Sequence, residues 1–271
     1  TTLGLGRGPG AKVLPFLLFG AAMTPAVIMA IIASVTNNLV DLPGHPEYYQ
    51  VVSIVLLIFA AIIAPELLCP DRRNGVISLY LVRPLSITDY LAARWLAFFA
   101  ITLLLVYSGQ VVLLVSLVLS AADPLEYLQD NWLDIPRILG AGFLLAAFIT
   151  TLPLAVAAFT DRRALAAAFV IGLFVISGAA GGILTGCGES PGNPRGPNCE
   201  PITGDAAKWL GLVDVSRVPT NVNNMIFGSE DDGRRSRMTA ELPRIVPIGW
   251  YIVLTGGLGG ALWLRYRRLT L

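Results

Sequence analysis

Six stretches of this 271-residue chain are each about long enough, wound as a helix, to cross a bilayer, and they are almost free of charge. They cover residues 14–35, 51–68, 91–120, 138–160, 164–185 and 245–264. Inside hydrocarbon every backbone amide must find its partner within the protein, so runs of this length fold as helices. Composition agrees: 55% of the residues are hydrophobic and only 14% charged, where soluble domains carry roughly 25% charged residues. Most of the surface therefore faces lipid. The third run is the longest and is expected to tilt or to project beyond the bilayer. Pro25 and Pro153 fall inside runs, which membrane helices tolerate because neighbours or water take up the freed carbonyl. The chain starts at Thr1 rather than Met, and further residues are expected ahead of it. A secretory signal has an apolar region of roughly 7–15 residues, so the longer first run reads as a retained span. The expected fold is an all-α membrane protein, one transmembrane domain over residues 1–271 with six spans.

Charge orients the spans, because Lys and Arg collect in short cytoplasmic loops. One set of segments carries Arg7, Lys12, Arg72, Arg73, Arg83, Arg94, Arg162, Arg163, Arg265, Arg267 and Arg268. The opposite short loops, 36–50 and 121–137, carry only Arg137. The first set is placed in the cytoplasm. Both termini are then cytoplasmic, as an even number of spans requires, and the long loop 186–244 before the last span is extracytoplasmic. The acidic residues Asp123, Glu126, Asp130 and Asp134 read as a solvated outer face. The net charge of +1 gives no reason to expect a nucleic-acid partner.

In the outer loop, Cys187 and Cys199 flank a Gly- and Pro-rich spacer that suits a closed ring. Disulfides are allowed on that side. A bridge is expected in preference to two free thiols, and closing so short a loop contributes about 3 kcal/mol in the chain-entropy model. Cys69, at the cytoplasmic end of the second span, is expected to stay reduced. With His45 the only histidine and in another loop, a zinc site is not expected. Residues 206–213 and 222–227 mix apolar and polar side chains and are expected to form short helices lying on the outer surface. Residues 228–237 read as a solvated turn.

Several motifs fail on inspection. The glycine-rich run 4–12 lacks the Gly-Lys-Ser/Thr that a nucleotide phosphate loop needs. Ser177 sits in a span without an intramembrane histidine to act as its base. The small-residue patterns 178–182 and 256–260 read as close helix packing. Glu66 is the one acidic residue within a span; it lies near the cytoplasmic edge, within reach of Arg72, Arg73 or Arg94, and reads first as an ion pair. Tyr107, Gln110, Thr150 and Thr151 are, with Glu66, the polar candidates for a translocation path. Ion-coupled carriers place ionisable groups near the midplane. None lies there, so energy must enter from elsewhere, and an amphipathic, lipid-like or hydrophobic cargo suits the interior.

The charged island at residues 69–90, between the second and third spans, resembles the first cytoplasmic loop of type 2 ABC exporter permeases. The pattern is an acidic residue, three variable residues, Gly, an apolar helical stretch, Pro, a small apolar residue, Ser and a basic residue opening the next span. Here these are Asp71, Gly75, Val76 to Val82, Pro84, Leu85, Ser86 and Arg94. The chain departs from the usual wording at Asp71, where Glu is usual, at Val76 and at Ile87. In physical terms, Gly75 and Pro84 can bound a short helix on which Val76, Leu79 and Tyr80 share an apolar face. Such a helix can seat in a groove on a soluble partner. The resemblance implies a coupling helix, with Asp71, Arg72, Arg73, Gly75, Val76, Leu79, Tyr80, Arg83, Pro84 and Ser86 contacting an ATPase. It implies a non-enzymatic permease subunit of an ATP-driven exporter in the plasma membrane, the inner membrane of a bacterium. Its partners would be two ATP-binding cassette subunits, a second identical or paralogous permease, and membrane lipid. ATP and Mg would bind those subunits, with no cofactor on this chain. A scaffold or sensor without transport is the competing reading, and a membrane-embedded enzyme a more distant one; co-purification with a responsive ATPase separates them.

Overall fold

The computed structural model describes residues 19–21, 23–29, 31, 44–73, 86–121, 123–186, 205–229 and 242–268. Among them every regular element is helical. A short apolar helix, α1 (Phe19–Met29), comes first. It is followed by α2 (His45–Arg73), α3 (Ile87–Ser120), α4 (Pro124–Asp130), α5 (Asp134–Ala157) and α6 (Arg163–Gly186). Then come α7 (Asp205–Leu210), two 3₁₀ turns (Gly211–Val213 and Val215–Arg217), α8 (Val218–Phe227) and α9 (Ile245–Arg267). Five of these, α2, α3, α5, α6 and α9, are long and apolar enough to cross a membrane. They correspond to the second to sixth expected spans. Of the first, expected over 14–35, the described part is α1, which is shorter than a full span.

Helix α5 is the axis. Most of its residues are buried, many of them small: Ala141, Gly142, Ala146, Ala147, Ala155 and Ala157. Small side chains let neighbouring backbones approach, which matters because lipid supplies no hydrophobic drive for helices to associate. Three tyrosines from three different helices reach its backbone. Tyr49 of α2 donates to the Ile138 carbonyl at 2.7 Å, Tyr107 of α3 to Leu139 at 2.6 Å, and Tyr251 of α9 to Leu144 at 2.8 Å. Lower down, Trp95 Nε1 of α3 donates to Thr151 Oγ1 at 3.0 Å. Pro153 lies inside α5 without ending it.

Two glycines mark the closest crossings. A side chain at Gly109 of α3 would run into the phenol of Tyr48, and one at Gly142 would meet Tyr107, Tyr49 and Val106. The small-residue patterns singled out in the sequence play different parts. Gly178 and Gly181 of α6 face Asp214 of the segment between α6 and α9 rather than another span. Gly256, Gly257 and Gly260 have nothing among the described residues within 4 Å of an added Cβ. That face of α9 is left open alongside Ile245, Ile252 and Val253.

The segment between α6 and α9 departs from expectation. Helix α8 does not lie on the surface. Val218 to Asn224 are all buried, and the helix enters the mouth of the bundle against α2, α5 and α9. Its short polar side chains Thr220, Asn221, Asn223 and Asn224 are compact enough to fit between spans, which a mixed apolar–polar pattern does not reveal. Gly228, at φ +68°, ends it in the left-handed conformation that glycine adopts freely.

The crossing at Gly109 predicts an asymmetry. Gly109→Ala forces Tyr48 to move and should lower thermal stability of the purified protein by about 1–3 kcal/mol. Gly257→Ala adds a methyl to open space in a helix and should be neutral or stabilising by about 0.5–1 kcal/mol. Equal melting temperatures for the two variants would contradict the packing described.

Candidate functional site

The helix ends sort by charge. At one end α2 finishes at Arg73, α3 begins at Ile87, the α5–α6 turn passes through Thr160 to Arg162, and α9 finishes at Arg267. Contacts join them. Arg163 Nη1 meets Glu66 Oε1 at 3.4 Å. Cys69 Sγ donates to the Thr160 carbonyl at 3.4 Å. Tyr90 packs on Tyr266, and the Arg265 guanidinium lies 5.9 Å from the centre of the Phe159 ring. Arg94 and Arg267 likewise lie over Tyr90 and Trp263. Of the basic residues that the sequence grouped together, this end gathers those that are described; Arg7, Lys12 and Arg83 lie outside the described residues.

The island is held between two helix ends here. Asp71, Arg72 and Arg73 are the last turn of α2, where the backbone alone is described. Ser86 caps α3: its Oγ accepts from the Asp89 amide at 3.2 Å, and Asp89 accepts from the Ser86 amide at 3.2 Å. This reciprocal capping box fixes where α3 starts. Gly75, Val76, Leu79, Tyr80, Arg83 and Pro84 lie outside the described residues, as do Cys187 and Cys199. Cys69 is a buried free thiol.

The five polar path candidates do not form one constellation. Glu66 is part of the basic end, paired with Arg163, a partner 97 positions away that sequence proximity did not suggest. Tyr107 is spent on α5. Thr151 bonds the Ala147 carbonyl at 2.7 Å and accepts from Trp95. Thr150 is fully buried and its hydroxyl has no hydrogen-bond partner among the described residues. Gln110 accepts at Oε1 from His45 Nδ1 at 2.8 Å and returns a bond to the His45 carbonyl at 3.4 Å.

At the opposite, acidic end that last pair underlies a cavity of about 500 Å³. Helix α3 continues ten residues past Gln110 to Ser120, and this overhang, with α4, forms one wall. Pro46, Leu117, Ala121 and Phe227 supply apolar lining; His45, Ser120, Tyr127, Asp134 and Ser229 supply polar lining. The His45 ring stacks on Phe227 at 6.2 Å. Asp123 caps α4 through its carboxylate, holding Tyr127 in place. Burial, with the Asp134 carboxylate beside it, raises the Tyr127 phenol above its ordinary range, so it stays a neutral hydroxyl. Sequence reasoning considered His45 only as a zinc ligand and Asp134 only as a solvated charge. The available signal was a lone histidine, with two tyrosines, opening a span.

A family model described as ABC-2 family transporter protein matches residues 16–256. No curated protein matches the chain.

The two buried polar groups predict opposite responses. Gln110→Ala leaves the Nδ1 proton of His45 without an acceptor and should destabilise the protein by about 1–3 kcal/mol. Thr150→Val removes an unpartnered hydroxyl at nearly constant shape and should be neutral or stabilising. Thermal unfolding of both variants checks this; a costly Thr150→Val would mean that its hydroxyl has a partner.

Proposed function

The chain belongs to the ABC-2 family of transporter proteins, and we propose that it is the permease subunit of an ATP-driven exporter for an amphipathic, lipid-like or hydrophobic cargo. It is a multi-pass membrane protein, with five helices fit to span, and the family is a transport component rather than a catalyst. In the proposed assembly two ATPase subunits, carrying ATP and Mg, dock on the basic end, which faces the cytoplasm of a bacterial cell. A second permease, identical or paralogous, completes the path. The open face of α9 and the exposed Leu165, Phe169, Val175 and Ile176 of α6 leave room for it and for lipid.

The observation that carries this reading is the mounting of the island between two helix ends that are linked to the rest of the bundle. Helix α2 is 29 residues long and α3 is 34. Their basic ends are braced to the rest of the bundle by Glu66–Arg163, Cys69–Thr160 and Tyr90–Tyr266. A push on residues 74–85 is therefore delivered to α6 and α9 as well as to the helices that carry it. Asp71, Arg72, Arg73, Gly75, Val76, Leu79, Tyr80, Arg83, Pro84 and Ser86 are proposed as the contact with the ATPase.

Leu79→Asp or Tyr80→Asp should insert normally yet lose co-purification with the ATPase and ATP-dependent transport. Full transport by either variant would refute the coupling assignment. On the outer side, peptide mapping without reductant should recover Cys187 and Cys199 in one cross-linked fragment; two free thiols would exclude that bridge.

A further inference from the structure

The cavity at the acidic end combines an oily wall with groups left waiting for a partner. His45 is 5% exposed. Its Nδ1 is committed to the Gln110 Oε1 atom, which can only accept, so Nδ1 carries the proton and Nε2 the lone pair. Among the described residues that Nε2 has no hydrogen-bond partner, and neither has the Oγ of Ser229, another lining residue; both atoms are themselves buried. Buried polar atoms are rarely left unpaired, because the loss of water is not repaid. Asp134 gives Oδ1 to Arg137 at 3.0 Å, which leaves Oδ2 available. Every one of these atoms can accept a hydrogen bond, and only the hydroxyls can also donate.

Charge points the same way. Arg137 offsets Asp134, while Glu47, Asp123 and Glu126 flank the lining residues in the chain with no basic residue between 44 and 71 or between 95 and 136. A cation is thus drawn to the mouth. The volume lies within the range of small-molecule sites, roughly 300–1,000 Å³. Leu117 and Phe227 offer a hydrocarbon tail an apolar face.

We propose that this vestibule binds an amphipathic primary amine, its three ammonium N–H groups donating to His45 Nε2, Asp134 and Ser229 and its tail lying on Leu117 and Phe227. The proposal rests on the transport reading, and narrows the cargo to that class. Anions are disfavoured by the flanking Glu47, Asp123 and Glu126, and a quaternary ammonium satisfies the charge but leaves the acceptors unpaired.

The test is calorimetric titration of the full chain in nanodiscs of zwitterionic lipid, corrected with empty nanodiscs. The probes are hexylammonium, hexyltrimethylammonium, hexanoate and methylammonium. Hexylammonium should bind about tenfold or more tighter than hexanoate and severalfold tighter than hexyltrimethylammonium, since charge-assisted hydrogen bonds are the strong ones. Methylammonium, lacking the tail, should bind more weakly than hexylammonium. Asp134→Asn should remove most of the preference over hexanoate. Ser229→Ala, beyond the end of α8 where folding is not at stake, should narrow the gap to hexyltrimethylammonium. Equal affinity for hexylammonium and hexanoate, or an unchanged preference in Asp134→Asn, overturns the proposal. No ATPase is needed for this titration, so its failure leaves the transport reading standing, and absence of an ATPase partner leaves the titration result standing.

Discussion

The clamping of α5 by three tyrosine hydroxyls and a tryptophan from its neighbours underlies the rest of the structure. In water, burial of apolar surface would hold such a bundle together; in lipid that drive is absent between helices, and packing and hydrogen bonds must serve. The second lone pairs of the Ile138, Leu139 and Leu144 carbonyls are available without cost to the helix. Tyr49, Tyr107 and Tyr251 use them from three directions. All three bonds lie in the half of α5 nearer the acidic end. The basic half is held by side-chain packing, by Trp95 on Thr151 and by the weaker contacts of Cys69. The bundle is therefore tied most firmly at the vestibule and more loosely where the island is mounted.

This gradient suits the proposed division of labour. An end that must respond to a motor cannot be as rigidly bonded as one that must hold a binding geometry. Glu66–Arg163 is part-exposed, with side chains 39% and 51% accessible. A pair so close to water contributes little to stability. Its value lies in direction: it links the last turns of α2 to the first turn of α6, so the two helices move together.

Much of the framework was legible in the amino-acid order because its physics is local. The apolar length of each run reports a span, and Arg placement reports which ends meet. The limits came from long-range or buried polar contacts. Helix α2 begins at His45 rather than Val51 because Tyr48 and Tyr49 are fully buried, although His-Pro-Glu-Tyr-Tyr reads as a polar loop. The position of α8 inside the mouth could not be read from Asn221, Asn223 and Asn224, which look like surface residues until α2, α5 and α9 close around them. Glu66 and Arg163 find each other only once the bundle has formed. For the island the reading of Gly75, Leu79, Tyr80 and Pro84 still stands on the sequence and family alone, since those positions lie outside the described residues.

Helix α2 links the two ends in one element. At 1.5 Å per residue its 29 residues are about 43 Å long, longer than a bilayer's hydrocarbon core of about 30 Å. Its last turn carries Asp71, and its first residue holds Gln110 and stacks on Phe227. Pro65 does not interrupt it. On the proposed reading, tilting α2 at the island must therefore displace His45 relative to α3 and α8 at the vestibule. His45 cannot shift far without surrendering its bond to Gln110, whose loss leaves both groups unpaired in a dry site. The vestibule would then have two discrete arrangements, bond made and bond broken, rather than a continuum. A ligand that pairs with Nε2 has a stake in which one prevails, and this is how occupancy at one face could be felt at the other.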